Sequence, residues 1–185
     1  MTQLFQVSIS IYRGEPQDYQ RYRHAALCFR PTSTSAAGMD APPSPPLSST
    51  SAPTSSPPTQ PELALSADNP KLMQGPALVL HAVENNEGWE LSVAASVDPS
   101  GLPNKSFATE VPVGMLTKTL SKAQLVSVVS QTTVDNEDPE FNSQVWVEAV
   151  LTRLTADSLL KGEDYHNGLD AMVDATMEAA DELAM

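Results

Sequence analysis

Hydrophobic and polar positions alternate near the start of the chain. Phe5, Val7, Ile9 and Ile11 fall on one side of an extended segment, and Gln6, Ser8 and Ser10 on the other. That period of two predicts a half-buried strand, closed by Gly14-Glu15-Pro16. Residues 21–30, RYRHAALCFR, make a second strand pattern that Pro31 stops. A third, 77-ALVLHAV-83, runs into the turn residues Asn85-Asn86-Glu87-Gly88 and returns as 89-WELSVAA-95, which predicts a hairpin. A fifth strand is expected over 107–115, where Pro112 points to an edge or a bulge.

The period then lengthens. Ser121 is placed to N-cap a helix reaching about Ser130, with Leu125, Val128 and Val129 as its apolar stripe. Asp138-Pro139 reads as the N-cap and first position of a second helix, with Trp146, Val150, Leu151 and Leu154 on one face. A third helix is expected from about Leu169, with Met172, Val173, Met177, Ala180 and Leu183 inward and acids outward. Strands followed by helices, without βαβ alternation, predict an α+β fold. It is an antiparallel sheet of about five strands with about three helices on one side.

Composition adds a boundary. Residues 31–74 hold 10 of the 16 prolines and are otherwise mostly Ser, Thr and Ala. Such a segment cannot bury enough apolar surface to offset the entropy of ordering, so a disordered insertion is expected. Residues 1–30 and 75–185 are then one domain. Ser44-Pro45 and Ser56-Pro57 could accept phosphate, or the segment is a passive linker.

The net charge of −13 argues against a nucleic-acid backbone or an anionic membrane surface as partner. Arg21, Arg23 and Arg30 are the nearest approach to a basic patch. A lone cysteine, Cys28, rules out an internal disulfide and fits a reducing compartment. No basic-then-apolar leader is visible and no apolar run reaches 18 residues, so a soluble intracellular, cytoplasmic protein with no integral membrane segment is expected.

His24 and His81 lie inside apolar strand patterns, where a polar ring needs a reason; His166 lies in GEDYHNG, which reads as an exposed loop. Each strand histidine is either a hydrogen-bonded structural residue or a chemical group. No third ligand sits at useful spacing, so neither a metal nor a cofactor is expected. A third element changes the balance. Asn142-Ser143-Gln144 opens an apolar helix, and a nucleophile at a helix N-terminus gains from the positive end of the helix dipole. A strand histidine can serve it as general base, oriented by a second polar group. Cys28 follows His24 by four positions on the same strand, roughly 13 Å along it, and reads as a buried structural thiol.

The stretches YRHAALCF, LVLH and NSQVWVEAVL together resemble the circularly permuted papain-like proteins of the lecithin:retinol acyltransferase and NlpC/P60 type. Those have a strand with one histidine, a next strand ending in a second, and a later helix opening with Asn-Cys. The acidic turn and Asn-x-Gln before Trp-Val also resemble a group of small fungal proteins. The resemblance covers about 110 residues with the insertion set aside. It implies a permuted papain-like fold in which His24 is the general base and His81 orients it. Ser143 stands where the family has its nucleophilic cysteine, and Asn142 shapes the turn and caps the helix. Gln144 matches the pattern without an assigned chemistry. Ser143 marks either a degenerate enzyme or an engineered replacement. Two functions stay open: a thiol-hydrolase or acyltransferase-type domain for a small-molecule or peptide acyl or amide substrate, weakly active or inactive as it stands, or a non-catalytic module that binds a protein through its acidic C-terminal helix or its Pro/Ser-rich insertion.

Overall fold

Five strands form one antiparallel sheet: β1 (Phe5–Tyr12), β2 (His24–Pro31), β3 (Ala77–Asn85), β4 (Gly88–Val97) and β5 (Phe107–Met115), in the order β4-β3-β2-β1-β5. Three helices follow: α1 (Lys122–Val129), α2 (Ser143–Ala156) and α3 (Gly162–Met177). The fold is therefore α+β. The structure, a computed structural model, describes residues 1–32 and 76–179. They belong to one compact unit. Of the expected insertion, Pro31 ends β2, while residues 33–74 with the Ser-Pro sites, and Ala180 and Leu183 expected for the third helix, lie outside the described residues.

The core sits between the helices and one sheet face. Phe5, Val7, Ile9 and Ile11 of β1 meet Leu27 and Phe29 of β2, Leu78 and Leu80 of β3, and Trp146, Val150, Leu151 and Leu154 of α2. α2 lies on β2 and β3, and α3 on β5 and β1. Each fully buried Leu, Ile or Phe here contributes roughly 2 kcal/mol of transfer free energy.

β1 is not half-buried. Ser8 and Ser10 are as buried as its apolar side, because β1 is central, paired to β2 on one side and to β5 on the other. Their hydroxyls are satisfied within the sheet. Ser8 Oγ donates to Glu110, and Ser10 Oγ meets Cys28 Sγ at 3.1 Å. Tyr12, Ala26, Cys28, Ala77, Val79 and Leu102 form a second, smaller cluster.

Pro112 fits both of its expected settings. β5 is an edge strand, where a missing N–H costs no ladder bond. Its pairing also slips, Val7 facing Gly114 and Ser8 facing Pro112, so Val113 is the extra residue of a bulge. The β3–β4 hairpin closes at Asn85 and Gly88, and Gly88 takes φ +122, a conformation that suits glycine.

Three helix expectations need correction. α2 begins at Ser143, not at Pro139. Asp138 caps no helix; its carboxylate accepts from Glu140 N at 2.9 Å, and Asp135 accepts from Glu137 N and Asp138 N. These side-chain turns hold 135–141 out of helix, while Phe141 packs edge-on against Trp89. α3 begins at Gly162, so GEDYHNG is helical rather than a loop, and His166 is exposed on it. Glu163 and Asp164 support that start at the positive end of the dipole. The inward stripe of α3 is Gly168, Met172, Ala175 and Thr176. Val173 and Met177 are 50% and 62% exposed, not inward. Gly168 sets this rotation: a Cβ there would come within 2.9 Å of Val113 Cγ1.

Arg21–Tyr22 precede β2 in a 3-10 turn, and the strand starts at His24. Arg23 and Arg30 make no surface patch, since both are buried and paired, Arg23 with Asp18 at 2.8 Å and Arg30 with Glu110. Among the described residues no helix is long and apolar enough to cross a membrane.

Candidate active site

β2 and β3 pair only from Leu27–Leu80 to Phe29–Leu78. Beyond that point they separate, and the gap holds polar groups. His24 opens β2 and His81 lies within β3. Their rings bridge the gap: His24 Nε2 lies 2.6 Å from His81 Nδ1, with the rings edge-to-face. Tyr12, the β1 partner of His24, puts its ring 5.9 Å away.

The α2 N-terminus meets the same gap. Ser143 Oγ accepts from Ala25 N at 3.0 Å, an amide beyond the paired β2–β3 residues. The hydroxyl therefore sits one residue along the chain from His24, although 118 residues intervene between His24 and Ser143 in sequence. No hydrogen bond joins it to either imidazole among the described residues; its partner is the backbone. All three groups are enclosed: His24 is 8% exposed, His81 7% and Ser143 3%.

The residues beside Ser143 hold this geometry. Asn142 takes extended backbone, and its Oδ1 accepts from Gln144 N at 2.9 Å and Val145 N at 3.1 Å. It is the N-cap. Gln144 Nε2 donates to Gln20 O at 3.1 Å and Arg23 O at 2.9 Å. That amide ties α2 to the turn feeding His24. The Arg23 guanidinium ties the same turn to Ala175 O on α3. A cleft of about 250 Å³ beside this junction is lined by Asn142, Gln144, Val173 and Met177 among others, but by none of His24, His81 and Ser143. Removing the cap is a clean test. Asn142→Ala is expected to lower stability by about 1 kcal/mol and Asn142→Asp by much less; equal denaturation midpoints for Asn142→Ala and the parent chain would deny the cap its role.

Electrostatics keep the histidine pair neutral. Burial, then the Lys105 ammonium, then His81 push His24 down to about 2. Burial and then Lys105 push His81 down to about 4. A neutral pair shares one proton across its short contact. If His24 is to accept a proton at Nδ1, its own proton must sit on Nε2 and be donated to His81 Nδ1.

The sign of the pH effect follows. Unfolded imidazoles titrate near about 6.5, above both folded values. The unfolded chain binds more protons below that pH, so stability is full above about pH 6.5 and falls as pH drops toward about 4. The slope is at most about 1.4 kcal/mol per pH unit for each histidine. Denaturation at pH 7 and pH 5 should show this loss, and His24→Gln with His81→Gln should reduce it. An unchanged difference in the double variant would show that the pair is not its source.

Cys28 is buried. Burial pushes its thiol up to about 12, so it is unreactive at neutral pH. Among the described residues no group of three His, Cys, Asp or Glu side chains is placed to hold a metal. Lys105, which acts on both imidazoles, was not singled out from sequence; a lysine in a Pro/Asn loop carries no signal there. Comparison with protein-family models, curated proteins and solved structures finds no match to this chain.

Proposed function

We propose that the chain is a papain-like hydrolase or acyltransferase-type domain with serine at the nucleophile position, of low or no activity as it stands. The observation that carries this is the meeting of three elements: a bonded imidazole pair from β2 and β3, and the first residue of α2 anchored to the amide next to His24. In this reading Oγ or, in the parent chemistry, a thiolate attacks an acyl carbon. Its proton goes to His24 Nδ1 and then to the leaving amine or alcohol, and water or an acceptor releases the acyl group. His81 holds the tautomer of His24. Low activity has a physical reason. An imidazole whose conjugate acid titrates at about 2 draws a proton from a hydroxyl poorly, and the hydroxyl is enclosed.

A second reading rests on the same bond. Ser143 satisfies an Ala25 amide that β3 does not pair, a structural task in a protein that acts by binding a partner. The experiment that separates the two is the reactivity of a cysteine installed at position 143. Activation that depends on His24 supports the enzyme reading, and an ordinary thiol supports the structural one.

A further inference from the structure

Two side chains of α3 expected to face inward stand out of the core. Val173 and Met177, one turn apart, are at least half exposed, and both line the cleft beside the α2 N-terminus. Gln20 and Arg21, from the turn that feeds β2, and Asn142 and Gln144, on either side of Ser143 in sequence, line it too. Tyr22 and Val145, each one residue from that lining in sequence, are also exposed. Four of the seven large apolar side chains exposed among the described residues therefore belong to this cleft or adjoin its lining residues, whereas scattered single ones need no explanation. The cleft volume, about 250 Å³, falls short of the roughly 300 Å³ at which small-molecule sites begin. It takes one or two side chains of a docked chain rather than a cofactor.

Charge says what docks there. Asp170, Asp174 and Glu178 recur every fourth residue and are all exposed, so they form a ridge beside the Val173–Met177 pair. Among the described residues no ion pair joins any of the three to a cation. Arg23, on which Glu178 acts from farther off, is buried and paired with Asp18. The last turn of α3 carries no basic residue, although the helix dipole is negative there and favours a cation. Arg21, its guanidinium over the Tyr22 ring at 5.1 Å, leaves the β2 turn basic and the α3 wall acidic. A second copy of the chain does not fit: two molecules of net charge −13, each with 10 basic residues, repel. A nucleic acid or an anionic membrane fails for the same reason. A small polyamine would meet the acids and leave the apolar wall in water. What matches both features is a protein segment with aliphatic side chains on one face and cations beside them.

We propose that the cleft between α3 and the α2 N-terminus docks a basic amphipathic segment of a partner protein, its aliphatic side chains against Val173 and Met177 and its Lys or Arg side chains on the Asp170–Asp174–Glu178 ridge. The proposal deepens the partner-binding reading of the chain; it does not require Ser143 to be catalytic.

The test is titration of the full chain, in about 0.15 M salt, with a synthetic Leu/Lys peptide of about twelve residues that places Leu on one helical face. A Ser/Lys peptide of the same charge and spermidine are the controls, and side-chain methyl resonances are followed by NMR. The Leu/Lys peptide is expected to shift the Val173 and Met177 methyls saturably and to leave those of Val93 and Met115, exposed elsewhere, in place. Val173→Gln with Met177→Gln should weaken binding by about tenfold or more. Asp170→Asn, Asp174→Asn and Glu178→Gln together should do the same. Glu84→Gln, Glu87→Gln and Glu90→Gln together, the same charge change at the exposed β3–β4 hairpin, should weaken it by no more than about threefold. No saturable shift, equal shifts at Val93 and Met115, or binding that survives Val173→Gln with Met177→Gln overturns the proposal. So does a hairpin variant as weak as the α3 variant, or a Ser/Lys peptide or spermidine that binds as tightly as the Leu/Lys peptide. Sedimentation that finds a dimer, made monomeric by Val173→Gln with Met177→Gln, would assign the face to a second copy instead. No cysteine is installed in this experiment, so its failure leaves the reactivity test at position 143 intact, and an unreactive thiol there leaves the docking surface standing.

Discussion

Ser143→Cys is expected to give a thiol that alkylates at least about a hundredfold faster than Cys28 near neutral pH, and His24→Ala is expected to slow it. Reaction rate follows the thiolate fraction. Cys28 titrates near about 12 and is almost wholly protonated at pH 7. A thiol at position 143 meets the positive end of α2 and the Ala25 N–H that now binds the hydroxyl. Both favour the anion. His24, neutral at rest, takes the thiol proton only as far as the new thiolate beside it raises its basicity, and the resulting imidazolium then holds the thiolate. Burial of the site works in the other direction and raises the pKa. The decisive readout is therefore alkylation rate against pH with and without His24→Ala. Titration below the reference of about 8.5, lost in His24→Ala, supports the proposed chemistry. A thiol that titrates at or above that value, indifferent to His24, returns position 143 to its structural role.

Loss of the Arg30–Glu110 pair should be the most destabilising single event outside the core. The pair crosses three strands, from β2 over β1 to β5, with Ser8 between them. Both side chains are buried. Glu110→Ala removes both carboxylate oxygens from a guanidinium that stays enclosed, and breaking a buried pair in this way costs about 3 kcal/mol or more. Replacing both partners by apolar residues removes the stranded charge along with the attraction, so Arg30→Met with Glu110→Leu should cost less than Glu110→Ala alone. Denaturant midpoints of Glu110→Ala, of Arg30→Met and Glu110→Leu singly, and of the double variant measure this. A double variant as unstable as the sum of its parts would show that the two side chains act independently.

The strands and their order of appearance were legible because each carries a local signal. The alternation in 5–11, the Asn-Asn-Glu-Gly turn at 85–88 and Pro112 at an edge each constrain the backbone within a few residues. Burial of the second face of β1 was not legible, because Ser8 and Ser10 look solvent-facing until Glu110 and Cys28 are brought to them from other strands. The start of α2 was misplaced for a similar reason. Asp138-Pro139 and Asn142-Ser143 are both sound helix openings, and the packing of Phe141 on Trp89 favours the later one. On α3 the polar run GEDYHNG suggested a loop. Gly168 is instead the contact that lets the helix approach Val113.

The candidate site divides in the same way. Sequence by itself determined its chemical types: two histidines in apolar strands and an Asn-Ser-Gln helix opening, in an acidic chain with one cysteine. It also determined that Asn142 could cap and that Cys28, four positions along the same strand from His24, reads as a structural thiol. Only tertiary structure decided that β2 and β3 part where they do, which lets His24 bond His81 and lets Ser143 take the Ala25 amide. It alone laid the loop from β4 to β5 against Tyr12 and Arg13, beside the strand that pairs with His24. The physical reason is range. Propensity, capping and alternation act over a few residues, whereas a site such as this is set by how far a strand pairing extends and by which distant side chain fills the gap where it stops.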